Sequence, residues 1–90
     1  MNEQEQDIIS RYLDNDGFVK TWPGKAKKRE LILKYLASKF TPGQKYSEPE
    51  VNLLLRQYID DYVTRRRDLV ESNLLQRTDD GRVYWINSKN

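Results

Sequence analysis

The local signal that most constrains this chain is a helix start at Ser47, because it fixes one boundary from which the neighbouring elements can be placed. In Ser47–Glu48–Pro49–Glu50 the serine hydroxyl can accept a hydrogen bond from the N–H of Glu50, whose carboxylate can reach back to the serine N–H. Proline is tolerated here because the first N–H groups of a helix have no partner within it. Apolar residues then follow at helical spacing, at Val51, Leu54, Leu55 and Tyr58.

Three elements are predicted before this helix. A short helix carries an apolar stripe from Ile8 to Leu13 and is ended by the turn-forming residues Asp14–Gly17. Phe18–Trp22 is predicted to be extended, and Pro23–Gly24 breaks it. A longer helix with a wide apolar face is predicted from Lys25 to Lys39.

Two further elements are predicted after it. Asp60 or Asp61 should cap a helix that ends at about Asn73. Asp80–Gly81 is a strong signal for a tight turn between two strands. The predicted strands are Leu74–Arg77 and Arg82–Ile86.

This order of elements predicts an α+β domain of the winged helix-turn-helix type. The hairpin would be the wing, and the helix from Asp61 to Asn73 would be the one that faces DNA in such a fold. The N-terminal helix and the segment Phe18–Trp22 are additions to this plan. We predict one domain over residues 8–87, with a flexible N-terminus at residues 1–7 and a flexible tail at residues 88–90.

The composition excludes several classes of chemistry. The chain has no cysteine and no histidine, so disulfides, Cys–His catalysis and histidine general bases are impossible. Asp14–Asn15–Asp16–Gly17 does not fit a calcium loop, because the fifth and twelfth positions would be Phe18 and Lys25. No phosphate-binding glycine loop or nucleophile elbow is present. We therefore expect no enzyme activity, no small-molecule substrate, no cofactor and no metal.

The sequence also lacks the features of a membrane protein. No apolar stretch is long enough to span a bilayer, and the polar, acidic start does not have the pattern of a signal peptide. We expect a cytoplasmic location and no membrane partner.

Basic residues are concentrated at the start of the second predicted helix. Residues 18–46 contain eight basic side chains and one acidic one, and four of the basic residues are Lys25, Lys27, Lys28 and Arg29. Such a cluster can neutralise phosphates and release counterions, which indicates sequence-independent nucleic-acid binding. The alternative is a solvated helix start with no ligand, although cations at a helix N-terminus oppose the helix dipole.

Three consecutive arginines lie on the fourth predicted helix. Arginine often reads guanine, but helical geometry places Arg66 on the apolar side, with Tyr62, Val63, Leu69, Val70 and Leu74. We predict that Arg66 is tucked against the core beside Glu48, Glu50 or Asp61. Arg65 and Arg67 should flank that side, and the fully outward face should hold Thr64, Asp68 and Glu71. This acidic outer face argues against base reading by the helix.

The tip of the hairpin offers a further candidate site. Arg77 and Arg82 flank it and could contact a phosphate, but Asp79 and Asp80 lie between them. A turn with salt bridges between the two strands is the preferred interpretation. The tyrosines and tryptophans could stack on single-stranded bases, but most lie on predicted apolar faces and core packing is preferred. Trp22 is the best candidate for partial exposure.

Several segments together resemble a widespread prokaryotic domain of unknown function, which occurs alone or fused behind helix-turn-helix transcriptional regulators. The resemblance covers about three quarters of the chain, from Phe18 to Trp85, and implies a winged-helix fold and a link to regulators. Arg65 departs from the pattern, which favours an apolar residue there. The matching segments are Trp22–Arg29, Leu33–Ala37, Phe40–Gly43, Tyr46–Glu48, Asp60–Tyr62, Arg66–Arg67, Leu69–Val70, Leu74–Arg77 and Gly81–Trp85.

Two functions follow from these patterns. The first is a transcription-associated DNA-binding domain that contacts phosphates through a basic patch, with the residues Lys25, Lys27, Lys28, Arg29, Arg65, Arg67 and Arg82. The alternative is a protein–protein interaction module of a regulatory complex, which would use the acidic fourth helix or the wing to contact a regulatory protein.

Overall fold

Four helices precede one β-hairpin in the computed structural model, which describes residues 2–87. The helices are α1 (Glu3–Ser10), α2 (Ala26–Ala37), α3 (Glu48–Leu55) and α4 (Tyr62–Glu71), and the strands are β1 (Leu75–Arg77) and β2 (Tyr84–Ile86). The domain is therefore α+β, as predicted. No helix in residues 2–87 is long and apolar enough to cross a membrane.

Helix α1 begins earlier in the chain than the sequence predicts. Residues 3–7 are helical, although their polar composition suggested a flexible N-terminus. The reason is a capping box: the Asn2 side chain accepts from the Glu5 N–H at 2.8 Å, and the Glu5 carboxylate accepts from the Asn2 N–H at 3.4 Å. Met1 and the predicted tail at residues 88–90 lie outside the described residues.

The predicted start of α3 is confirmed. The Glu50 N–H donates to the Ser47 hydroxyl at 3.2 Å, and the Ser47 N–H donates to the Glu50 carboxylate at 2.7 Å. Asp61 is the N-cap of α4, as one of the two predicted alternatives, but its side chain caps no backbone N–H. The turn after α1 is also as predicted, since the Asp14 carboxylate accepts from the backbone N–H groups of Asp16 and Phe18, both at 2.9 Å.

The hairpin is antiparallel, with Leu75 opposite Ile86 and Arg77 opposite Tyr84. Gly81 lies in the connecting turn with a φ of +72°, a conformation that glycine adopts without steric cost. Tyr46, in the link between α2 and α3, pairs with Tyr84 through two backbone hydrogen bonds of 2.8 and 2.7 Å. This bridge holds the segment before α3 against the hairpin.

The core lies between α2, α3, α4 and the hairpin. Six side chains are almost completely inaccessible to solvent, namely Ile32, Leu36, Val51, Leu55, Leu69 and Leu75. Burial of each such side chain stabilises the fold by about 1.5–3 kcal/mol. The extended segment before α2 joins this core, because Val19 is buried and its N–H donates to the Tyr58 carbonyl at 2.6 Å.

Candidate nucleic-acid interface

The basic segment, defined here as Lys25–Arg29, forms the N-terminal end of α2. Lys25 is the N-cap residue, its side chain makes no capping hydrogen bond, and the first turn contains no acidic residue. Lys25 and Lys27 are exposed, while Lys28 and Arg29 are partly buried. Within residues 2–87, none of the four cationic side chains forms an ion pair or side-chain hydrogen bond.

An open groove of about 520 Å³ separates the N-terminal half of α2 from α4. Arg29 and Ala26 line one wall, and Thr64 and Glu71 line the other. The basic segment and the outer side of α4 therefore border the same groove, a proximity that the linear sequence does not reveal.

Arg65 lines this groove, and its guanidinium group is held by contacts with neighbouring side chains. Its guanidinium carbon is 3.8 Å from the centre of the Trp22 ring, a stacked cation–π contact. Its Nη1 is 2.6 Å from the Asp68 carboxylate, and its Nη2 is 3.3 Å from that of Asp61. The side chain is only 12% exposed, and its buried Nε has no partner within residues 2–87. The partial burial agrees with the apolar residue that the resemblance favours at this position.

These contacts change the predicted charge of the outer face of α4. Asp68, predicted to point fully outward, is 30% exposed at the side chain and is paired with Arg65. The exposed residues on this side are Thr64 and Glu71. Arg67, which flanks the outer face on the side away from Arg65, is also exposed and has no ion pair within residues 2–87. The charge of this face is therefore closer to neutral than the sequence predicts.

Arg66 confirms the prediction that it would be tucked against the core. It is 8% exposed, its Nη2 is 2.9 Å from the Glu48 carboxylate, and its Nη1 donates to the Asn52 side chain at 2.6 Å. Val63, predicted on the same side, is instead 40% exposed. Leu69 and Arg66 occupy the centre of the buried side, so Val63 falls at its edge.

The tip of the hairpin is held by local contacts. Arg82 forms an ion pair with Asp80 at 3.8 Å, but both side chains are mostly exposed, so the pair contributes little to the stability of the fold. Arg77 donates through Nη1 to the carbonyls of Thr78 and Asp79. The Asp80 carboxylate accepts from the Thr78 hydroxyl and the Arg82 N–H, and these hydrogen bonds lower its pKa below the usual 3.8. The described ion pair thus lies within the turn and does not cross between strands.

The aromatic side chains mostly pack inside the fold. Tyr46 and Tyr84 are buried, and Tyr35 and Tyr58 pack edge to face with ring centres 6.3 Å apart. Trp22 is partly exposed, as predicted, but its ring is covered by Arg65. Within the described residues, no group of three or more carboxylates could hold a metal ion.

The seven predicted site residues fall on three elements. Lys25, Lys27, Lys28 and Arg29 are grouped at the start of α2, Arg65 and Arg67 lie on opposite sides of α4, and Arg82 lies at the hairpin tip. The first group and the groove beside it form the candidate interface, while Arg65 is engaged within the fold.

The sequence model of one bacterial family matches residues 18–86, which include the basic segment, α4 and the hairpin. No curated protein and no solved structure matches the chain. The chain therefore belongs to the DUF2087 family, whose members are described as uncharacterized proteins conserved in bacteria.

Proposed function

We propose that this domain binds double-stranded DNA through contacts to its phosphates, as part of a transcription-associated regulator. The observation that carries the proposal is the basic segment, in which four cations occur within five residues and none has an ion-pair partner within residues 2–87. Because unpaired surface cations release condensed counterions from DNA when they bind phosphates, such a cluster favours association without reading bases.

A winged helix-turn-helix scaffold would bring α4 to the same DNA. The order of α2, α3, α4 and the hairpin supports this arrangement, and so does the bridge between Tyr46 and Tyr84, which adds a third short extended segment beside the hairpin. In that fold, α4 lies against the major groove. The resemblance to domains fused behind regulators is consistent with the same role.

The charge on α4 permits this approach. Arg65 already neutralises Asp68, so this carboxylate repels phosphates less than a free one would. Arg67 adds an exposed cation close to the outer face, while Glu71 remains as an opposing charge. We expect phosphate contacts to dominate and discrimination between base sequences to be weak.

A salt titration of binding to a random-sequence duplex, followed by fluorescence anisotropy, tests the proposal. Four phosphate contacts predict that the logarithm of the association constant falls against the logarithm of salt with a slope of about −3.6. Reversing two charges with Lys27→Glu and Lys28→Glu should weaken binding by about ten-fold or more and flatten the slope.

The matched control is the pair Lys20→Glu and Lys34→Glu, which changes the net charge equally at exposed lysines outside the basic segment. This control should retain most of the affinity. The proposal fails if the duplex does not bind at low salt, or if both pairs of substitutions weaken binding equally, because net charge alone would then explain the effect.

A second candidate is a protein–protein interaction module. Leu53 on α3 is 54% exposed and Val63 on α4 is 40% exposed, and exposed apolar side chains are common at protein interfaces. A photo-crosslinking residue at position 63 should then capture one defined partner in cells. The same residue at position 20, which is also exposed, should not, and equal capture at both positions would reject this function.

A further inference from the structure

We propose that a pocket between α4 and the hairpin binds a phosphate group. The pocket has a volume of about 370 Å³. Its lining includes three arginines, Arg66, Arg67 and Arg77, and also Val70, Glu71, Gly81 and Tyr84. It contains no residue of the basic segment, and its occupation by phosphate does not depend on DNA binding.

The hydroxyl of Tyr84 is the first observation that points to a ligand. Tyr84 is only 4% exposed, and its backbone N–H and carbonyl are both used in the bridge to Tyr46. Its hydroxyl forms no hydrogen bond within residues 2–87. The hydroxyl oxygen lies beside Gly81 in the lining of the pocket, so this donor is available to a group bound there.

The arginines are the second observation. Arg66 is held in place by Glu48 and Asn52, so it forms a fixed wall. The described contacts of Arg77 use only Nη1, and Arg67 has no side-chain partner within residues 2–87. A guanidinium group has five donors in a planar arrangement that matches two oxygens of a phosphate. Arg67 and Arg77 therefore have unused donors at the pocket.

Gly81 lies beside these donors and adds no side chain to the space between them. A Cβ at this position would lie 3.9 Å from Arg77 Nη1 and 4.0 Å from the Tyr84 hydroxyl oxygen. Both groups thus approach the same point on the hairpin, where the chain carries no side chain. An oxyanion in this space could accept from the Tyr84 hydroxyl and from Nη2 or Nε of Arg77, because Nη1 already donates to the carbonyls of Thr78 and Asp79.

The charge of the pocket fits one anionic group. The lining contains three guanidinium groups and the carboxylate of Glu71. Glu48 pairs with Arg66, and Asp80 is close enough to Arg77 for their charges to interact, so Arg67 is left as the guanidinium group without an ion pair within residues 2–87. A phosphate diester or the monoanion of a phosphate ester carries the complementary charge. The group could come from the DNA backbone or from a free phosphorylated small molecule.

Amide chemical shifts of isotope-labelled protein, titrated with inorganic phosphate, test the pocket. Sodium chloride at matched ionic strength is the control for screening. We expect saturable shifts centred on residues 67–71, Gly81 and Tyr84 with phosphate alone. Shifts that do not saturate, or that chloride reproduces, would overturn the proposal.

The substitution Tyr84→Phe removes the hydroxyl and keeps the buried ring, so the core remains packed. It should weaken phosphate binding by about ten-fold, the effect of losing one hydrogen bond to a charged group. Arg67→Ala should do the same, whereas Arg56→Ala, which removes an exposed arginine outside the pocket, should leave binding unchanged. Equal binding by the wild type and Tyr84→Phe would contradict the proposed role of the hydroxyl and with it the site.

Adding the duplex to the phosphate-bound protein distinguishes the two sources. If the pocket takes a backbone phosphate, DNA displaces inorganic phosphate and Tyr84→Phe also weakens DNA binding. If it takes a free phosphorylated ligand, phosphate remains bound and Tyr84→Phe leaves the duplex affinity unchanged. Either result supports a phosphate pocket, and saturable phosphate binding without any DNA binding would refute only the function proposed above.

Discussion

The ion pair between Arg66 and Glu48 gives the most quantitative prediction of stability. Arg66 is 10% exposed at the side chain and Glu48 is 45% exposed, and their nitrogen–oxygen distance is 2.9 Å. Removing one partner of a fully buried pair costs about 3–5 kcal/mol, while exposed pairs contribute about 0–1 kcal/mol. Because one partner here is buried and the other is nearly half exposed, Glu48→Ala should lose about 1–2 kcal/mol from this pair. In a domain of 90 residues, this corresponds to a decrease in Tm of about 5–10 °C.

A matched control separates the ion pair from the helix dipole. Glu48 is the first residue of α3, and Glu3 occupies the same position in α1 but has no ion pair within residues 2–87. Each carboxylate interacts favourably with its helix N-terminus by about 0.3–1 kcal/mol. Glu3→Ala should therefore lose only this smaller amount, and the difference between the two variants measures the contact with Arg66.

Urea denaturation of the wild type, Glu48→Ala, Arg66→Met and the variant with both substitutions completes a double-mutant cycle, and Glu3→Ala is measured beside it. Once the buried guanidinium has been replaced, loss of Glu48 should cost no more than loss of Glu3. Equal losses for the two alanine variants, or an unchanged cost of Glu48→Ala without Arg66, would show that the pair does not stabilise the fold.

Three further predictions concern single groups. Gly17 and Gly43 share a φ of +83°, but only at Gly17 would a Cβ lie 2.8 Å from the Tyr35 hydroxyl oxygen. In urea denaturation, Gly17→Ala should therefore lower the free energy of unfolding by about 1–2 kcal/mol more than Gly43→Ala does. Equal losses of stability would contradict this clash. Burial raises the pKa of Tyr35 above 10.0, so the unfolded chain loses the Tyr35 proton at a lower pH than the folded domain does. The contribution of protonated Tyr35 to the free energy of unfolding should be present below about pH 10 and lost as the pH rises further. Thermal melts across this range should show a weaker decline for Tyr35→Phe, and an identical decline would reject the assignment. The hydrogen bond from the Thr78 hydroxyl is the largest cause that lowers the pKa of Asp80. A pH titration of the chemical shift of the Asp80 carboxyl carbon should show a pKa closer to 3.8 in Thr78→Val. An unchanged pKa would refute this cause.

Much of the local structure could be predicted because its causes lie close together in the chain. The capping box of α3 and the turn at Asp80–Gly81 each depend on residues within four positions of one another. The same kind of signal was present at Asn2 and Glu5, where a polar composition concealed a capping box. The burial of Arg66 was predictable since helical periodicity alone places it on the side of Leu69.

The surface of α4 could not be predicted in the same way. Asp68 does not point fully outward because its carboxylate forms an ion pair with Arg65. The guanidinium group of Arg65 in turn packs on the ring of Trp22, which lies far away in the sequence. The pocket beside Tyr84 depends on how closely the hairpin approaches α4. No spacing rule along the chain reports such distances, so the charge balance of the candidate interface required the structure.

The bridge between Tyr46 and Tyr84 has a consequence for the order of folding. Strands of three residues cannot hold a hairpin together alone, and this bridge joins segments from distant parts of the chain. The entropy of closing that long loop must be offset before the hairpin gains these hydrogen bonds. The hairpin should therefore form late, after the helices have collapsed, and the Tyr84 amide should exchange with solvent only when the whole domain opens.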